Sequence, residues 1–243
     1  MAKYFGSPIS PQKIQHRRPT VFRDAELVRQ LNFAADAIAD AEKLSNRANR
    51  AIAHFQRTVL ELEVRQIKAD AIARNIRGFF STPRCVIDKM LELAQLQPYH
   101  RILEPSAGSG DLVKAISEAG VEKVDCFEIH PLLRSALQLQ QLNVIGANFL
   151  TASPVPIYDR ILSNPPLGNN EVTNHTLHAY RFLRPGGKLI TISHHYHLRP
   201  SRSDRQFFNW LKQNKARFLN LGKPFENSAR NTSTPMQLII IER

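Results

Sequence analysis

The chain has 243 residues, 42% hydrophobic and 22% charged, which is enough apolar content for one ordinary domain or a domain with an appendage. Lys and Arg outnumber Asp and Glu by 33 to 21, a net charge of +12, so nucleic acid is the first partner to weigh against a merely solvated basic surface. No stretch is apolar for long enough to span a bilayer, no polybasic run flanks an apolar one, and the first twenty residues lack the apolar centre of a signal peptide, so a membrane setting is excluded as an expectation.

Residues 1–23 read as a flexible basic arm, with three prolines, Lys3, Lys13, Arg17 and Arg18 and no periodicity. Residues 24–77 read as a helical N-terminal extension. Leu27, Leu31, Ala34, Ile38, Ala41, Leu44, Ala48, Ile52, Phe55, Val59 and Leu62 recur at steps of three and four, which marks one apolar helical face. Asp24 is the expected N-cap. One long helix and a hairpin broken near Leu44–Asn49 both fit the pattern. The stripe suits packing or self-association, and Arg47, Arg50, Arg57 and Arg65 are open to a nucleic-acid role.

From Gly78 to Arg243 short apolar runs alternate with helical patterns. Residues 101–104, 123–129, 143–146, 159–163, 188–193, 217–221 and 237–242 read as seven strands. Helical patterns include Asp111–Ala119, Pro131–Leu139, Val172–Phe182 and Asp204–Asn214. This alternation predicts an α/β fold, a Rossmann-like, mostly parallel sheet with helices on both faces. The last two runs are joined by a short polar linker and are expected to pair antiparallel. Cys85 and Cys126 have no metal-ligand spacing and read as buried thiols in a reducing cytoplasm.

The first of these strands runs into "EPSAGSGDL", Glu104 to Leu112. Ala107, Gly108 and Gly110 lack bulk where a strand turns into a helix, so a ligand can lie against backbone N–H groups. There is no Gly-Lys-Ser/Thr, which disfavours nucleotide hydrolysis. Glu104 would repel a phosphate and attract a cation. Glu128, some twenty residues on, sits where an acid can accept from ribose hydroxyls. Asn148 and Phe149 follow the third strand and could meet an adenine edge and face. Together these describe a pocket for a nucleoside with a positive charge, which S-adenosylmethionine matches. The fourth strand ends in "SNPPL", where Pro165 and Pro166 stop the ladder and hold Asn164 rigidly.

In order and spacing these motifs resemble class I S-adenosylmethionine-dependent methyltransferases, most of all the amino-methylating, N6-adenine branch with its Asn-Pro-Pro-aromatic motif. "GFFSTP" (Gly78–Pro83) is similar to that branch's Phe-x-Thr-Pro element, and "PFENSARNTSTPMQLIIIE" to its closing hairpin. The resemblance covers residues 78–243 and implies a methyltransferase domain with a seven-stranded sheet holding one antiparallel strand. It implies that Phe80, Thr82, Glu104, Pro105, Ser106, Gly108, Gly110, Glu128, Ile129 and Asn164 line the cofactor, with Asn148 and Phe149 around its adenine. Asn164, Pro165, Pro166 and Leu167 become the catalytic motif. In it the Asn164 side-chain oxygen and the Pro165 carbonyl accept from the target amine and make its nitrogen nucleophilic, with no strong general base required.

Leu167 departs from the pattern, because the family places there a ring that stacks on a flipped base; Phe79, Tyr196 and Phe225 are candidates to replace it. Asn148 also departs, standing where the family often has Asp. The segment Ser193–Arg205 follows the fifth strand, and His195, Tyr196, His197, Arg199 and Arg202 are read as nucleic-acid contacts rather than metal ligands. The expected enzyme is an N-methyltransferase of DNA adenine N6 in the cytoplasm. RNA adenine, a protein glutamine amide and a non-catalytic nucleic-acid-binding role are the alternatives.

Overall fold

The structure is a computed structural model that describes residues 23–168, 170–194 and 202–243, with backbone alone at 23–28, 202 and 203. Seven strands form one sheet: β1 (Arg101–Glu104), β2 (Lys123–Phe127), β3 (Asn143–Gly146), β4 (Tyr158–Ser163), β5 (Leu183–His194), β6 (Arg217–Gly222) and β7 (Met236–Glu242). Their order is β3-β2-β1-β4-β5-β7-β6. The first five pair in parallel, and β7 lies antiparallel between β5 and β6. This is the expected mostly parallel sheet with one antiparallel strand.

Two apolar cores follow from the alternation of side chains along the strands. Leu162, Ile190, Leu238 and Ile240 face the layer of α2 (Arg84–Ala94), α3 (Asp111–Glu118) and α4 (Pro131–Leu139). Their neighbours Ile161, Leu189, Ile239 and Ile241 face α5 (Glu171–Phe182) and α6 (Arg202–Gln213). All eight of these side chains are buried, so the sheet is anchored from both sides.

The chain order reverses between β1 and β4, because β2 and β3 run outward on one side and β4 and β5 on the other. Such a switch point leaves a crevice at the C-terminal strand ends, where α/β sheets bind ligands. Glu104 ends β1, Glu128 follows β2 and Asn164 follows β4, so three separated motifs arrive at that crevice.

The extension is a single helix, α1 (Arg23–Ala73), one of the two forms the pattern allowed, with no break at Leu44–Asn49. Three expectations differ from what is found. Asp24 lies inside α1 and is not its N-cap. Cys85 is exposed and only Cys126 is buried; α2 turns Val86, Ile87, Met90 and Ala94 inward, which leaves Cys85 on the outer side. β5 begins at Leu183, ahead of residue 188, because Leu183 pairs with Tyr158 and the Gly186 N–H donates to the Arg243 carbonyl.

The chain divides into two compact units between Arg57 and Thr58. In the first, Leu31, Phe33, Ile38, Leu44, Ile52 and Phe55 of α1 are exposed, so the apolar stripe is not consumed by packing. In the second, the last turn of α1 is packed: Ala71 is fully buried and joins Phe79 and Leu133, with Ile72 and Ile76 beside them. No helix among the described residues is long and apolar enough to cross a membrane.

Candidate active site

The crevice is a cavity of about 490 Å³. Of the residues assigned to a cofactor on sequence, Phe80, Thr82, Glu104, Pro105, Ser106, Gly108, Glu128, Ile129, Asn148, Phe149 and Asn164 all line it. Gly110 does not. It caps α3 with φ +88°, and an added Cβ would fall 2.7 Å from Leu142 Cδ1 and 2.8 Å from Leu137 Cδ2. Gly110 is therefore small to let α3 leave the loop and to admit core side chains, and a ligand has no part in that need.

Glu104 is 1% exposed, and its Oε2 has no hydrogen-bond partner. Burial, followed by the nearby charges of Asp111 and Glu128, pushes its carboxyl well above the usual range. A buried acceptor without a partner is costly, and Glu104 is one of the residues that line the cavity. Glu128 is also pushed up by burial, but less freely, since its oxygens accept from the His130 and Gly108 N–H groups at 2.7 Å each and Arg134 is near. Those bonds tie the end of β2 to the glycine loop and fix where the carboxylate stands. Burial also pushes the Cys126 thiol up to about 12, so it is inert beside these acids.

In the cavity wall the Asn164 Nδ2 donates to the Phe80 carbonyl at 2.9 Å and to Thr82 Oγ1 at 3.0 Å. Both amide protons are thereby used, and Oδ1 keeps its lone pairs for another donor. Pro166 lines the cavity, whereas the Pro165 ring is buried behind the wall. Leu167 packs against both cores and so presents one apolar flank and no ring.

Phe79 is buried in the small cluster under α1, and Phe225 is fully buried. Tyr196 lies outside the described residues, as do His195, His197 and Arg199; Arg202 opens α6 with its side chain undescribed. The half-buried ring in the wall is Phe80, set edge-on to Phe225 at 6.1 Å. Asn148 is exposed, and its Oδ1 accepts from the Leu150 N–H at 3.0 Å, so its acceptor is already engaged and its amide N–H groups remain for a ligand. Phe149 is 2% exposed within a group of Phe127, His175, His178 and Phe182 rings.

Several cavity residues escaped the sequence reading. Glu171 and His175 stand one turn apart at the start of α5 and line the cavity. The His175 Nδ1–H donates to the Glu171 carbonyl at 2.9 Å, and burial pushes its pKa down. Their i, i+4 spacing on the face that carries Val172, Thr176 and Ala179 was the available signal. Lys68 near the end of α1 bridges Asp111 at 2.7 Å, and nothing in its local sequence announced that partner.

The strand order, the switch point and the acid-lined glycine loop define a class I S-adenosylmethionine-dependent methyltransferase fold. Solved structures agree. A modification subunit of a type I restriction enzyme from Vibrio vulnificus aligns with 77% of this chain and 49% of its own length, with TM-score 0.60 and 17% identity. A class I S-adenosylmethionine-dependent methyltransferase from Listeria monocytogenes aligns with 76% of this chain and 68% of its own, with TM-score 0.54 and 15% identity. At these identities the likeness is one of fold. In sequence, the Type II methyltransferase M.HincII of Haemophilus influenzae is 30% identical over 95 residues, 37% of this chain. The match spans 17% of that relative's length, and no protein-family model matches the chain.

Proposed function

We propose that this protein is an S-adenosylmethionine-dependent methyltransferase of an exocyclic amine, with adenine N6 in DNA as its target and residues 78–243 as the methyltransferase domain. One observation carries the reading: the same cavity is lined by Glu104, a buried acid with an unpartnered oxygen, and by Asn164, whose amide nitrogen is already held by Phe80 and Thr82.

The residues fit the cofactor chemically. Glu104 Oε2 suits the cationic part of the ligand, the outer lone pairs of Glu128 suit ribose hydroxyls, and Asn148 with the edge of Phe149 suits the adenine. When bound, S-adenosylmethionine would supply an electrophilic methyl group for the amine nitrogen, with the thioether as leaving group and the amine proton released to solvent. The chain's own part is positioning. Asn164 Oδ1 accepts an N–H of the target amine and draws its lone pair out of conjugation with the ring. Pro165, fixed by its own ring and by Pro166, offers its carbonyl for the second N–H. Because the Asn164 amide nitrogen is held by Phe80 and Thr82 before any substrate arrives, little reorganisation remains at the moment of reaction.

DNA is favoured by the charge of +12 and by the restriction-modification methyltransferases among the similar proteins. This reading puts the work in the cytoplasm, where DNA and cofactor meet, and gives the exposed stripe of α1 to self-association. The inward-packed Leu167 favours one second reading, an amine other than a flipped DNA base, in RNA or in a glutamine side chain.

The test is transfer of a tritiated methyl group to unmethylated DNA, to RNA and to whole-cell protein in parallel, with Asn164→Ala as control. Nucleoside mass spectrometry then locates the label. Label at adenine N6 of DNA supports the proposal, and label confined to RNA or protein replaces it with the second reading. Cofactor binding without transfer to any acceptor makes the protein a non-catalytic relative.

A further inference from the structure

The segment from Asn75 to Thr82 leaves α1 and crosses the cavity before α2 begins. It turns on two left-handed residues, Asn75 at φ +52° and Gly78 at φ +76°. It touches both chemical motifs of the site. A Cβ at Gly78 would lie 2.8 Å from Pro166 Cβ, and one at Gly108 would lie 3.2 Å from Phe79 Cε2. Its Phe80 carbonyl and Thr82 hydroxyl hold the Asn164 amide. A strap of this kind has few backbone bonds of its own: the Asn75, Ile76 and Phe79 N–H groups bond backward within it or to α1, and several of its carbonyls need partners from elsewhere.

Those partners come from one residue some 150 positions later, in the loop between β6 and β7. The Arg230 guanidinium donates through Nη1 to the Ile76 carbonyl and to the Phe79 carbonyl, the latter at 2.9 Å. Through Nη2 it donates to Asn75 Oδ1 at 2.6 Å, and its Cζ lies over the Phe80 ring, 4.5 Å from the centroid. Phe225 of the same loop meets the edge of that ring. All three acceptors are neutral, so this arginine works by its fork and its flat face rather than by an ion pair, and a lysine could not reproduce it.

We propose that Arg230 is a positioning residue: it latches the 75–82 strap so that the Phe80 carbonyl fixes the Asn164 amide with its oxygen turned to the cavity. It touches neither cofactor nor target. It acts on the amine through Phe80 and Asn164, and on the cavity wall through Ile76 and Phe79. The kinetic part of this claim rests on the methyltransferase reading above, and the structural part on geometry alone.

Both parts are tested with the full chain, as wild type, Arg230→Lys, Arg230→Gln, Asn164→Ala and the Arg230→Gln/Asn164→Ala double variant. Amide hydrogen exchange over residues 75–82 of the unliganded protein, and the Asn164 side-chain amide resonance identified by its loss in Asn164→Ala, need no activity. The latch predicts exchange at least tenfold faster in that segment, and a shifted, deprotected Asn164 resonance, in both Arg230 variants, with β1 and β4 unchanged. In turnover, Arg230→Gln lowers kcat more than tenfold in the wild-type background and less than twofold in the Asn164→Ala background. Unchanged exchange and an unmoved Asn164 resonance in Arg230→Gln overturn the proposal, and so do kcat losses that multiply in the double variant. If the wild type transfers no methyl group, the enzymatic reading fails and the exchange and resonance results decide the latch by themselves.

Discussion

Glu104 and Asn164 both line the cavity and make opposite demands on the fold. Glu104 is an acid whose folded pKa lies above its unfolded one, so the folded state holds a proton that the unfolded chain gives up. Its stability contribution is therefore full below the ordinary glutamate range, about pH 4.3, and declines as pH rises toward the raised folded value. Glu128, raised by burial as well, adds to the slope with the same sign. Glu104→Gln removes the larger part, so denaturant melts from pH 4 to 8 will show a flatter profile and a more stable variant at neutral pH. A bound cation favours the ionised acid, so cofactor affinity in the wild type rises with pH across the same window. Calorimetry will find binding weakened at least about tenfold in the variant, roughly 1.4 kcal/mol. Asn164→Ala should instead lower kcat on the order of 100-fold, the scale of one lost preorganised hydrogen bond. Leu167→Tyr restores a stacking face worth about 1–3 kcal/mol per base at the expense of core packing. Its expected signature is a lower KM for DNA with a lower Tm, and an unchanged KM would show that Phe80 already serves as the platform.

At the scale of elements, the glycine positions separate strain from collision. Gly78 and Gly120 both have positive φ, but a Cβ at Gly120 meets nothing within 4 Å, whereas at Gly78 it meets Pro166 at 2.8 Å. Gly120→Ala should cost only the left-handed backbone penalty of about 1–2 kcal/mol. Gly78→Ala should cost more in chemical denaturation and also lower methyl transfer, because the strap must move off the Asn-Pro-Pro motif. Much of the element map was legible beforehand. β1 and β3 fall where the apolar runs begin and end, since short buried strands bounded by turn formers leave few alternatives. The start of β5 was not, because Leu183 pairs with Tyr158 and Gly186 and Gly187 bond to Arg243, partners far away in sequence. Gly110 was misread for a related reason. A small residue in a glycine loop looks the same in sequence whether a ligand or a leucine needs the space.

For the whole molecule, the division between Arg57 and Thr58 makes a direct prediction. A protein lacking residues 1–57 should keep its fold by circular dichroism and its cofactor affinity within about threefold, under 1 kcal/mol. The deleted part carries ten Lys and Arg against five Asp and Glu. The salt dependence of DNA binding should therefore become shallower, by up to about one unit of slope for each phosphate no longer neutralised. An unchanged slope would assign DNA binding to the second unit alone. Sedimentation of the two forms tests whether the exposed stripe of α1 joins copies of the chain.

By itself the sequence determined the class of fold, the order of its strands along the chain and the residue types gathered for the chemistry, because periodicity and turn chemistry act over a few neighbouring residues. Only the tertiary structure decided which of them meet. It turned the Asn164 amide by way of Phe80 and Thr82, left one Glu104 oxygen without a partner, spent Gly110 on core packing and brought Arg230 onto a strap some 150 residues away. Those outcomes depend on which donors and acceptors the sheet brings within about 3 Å of each other, a distance that no local pattern records.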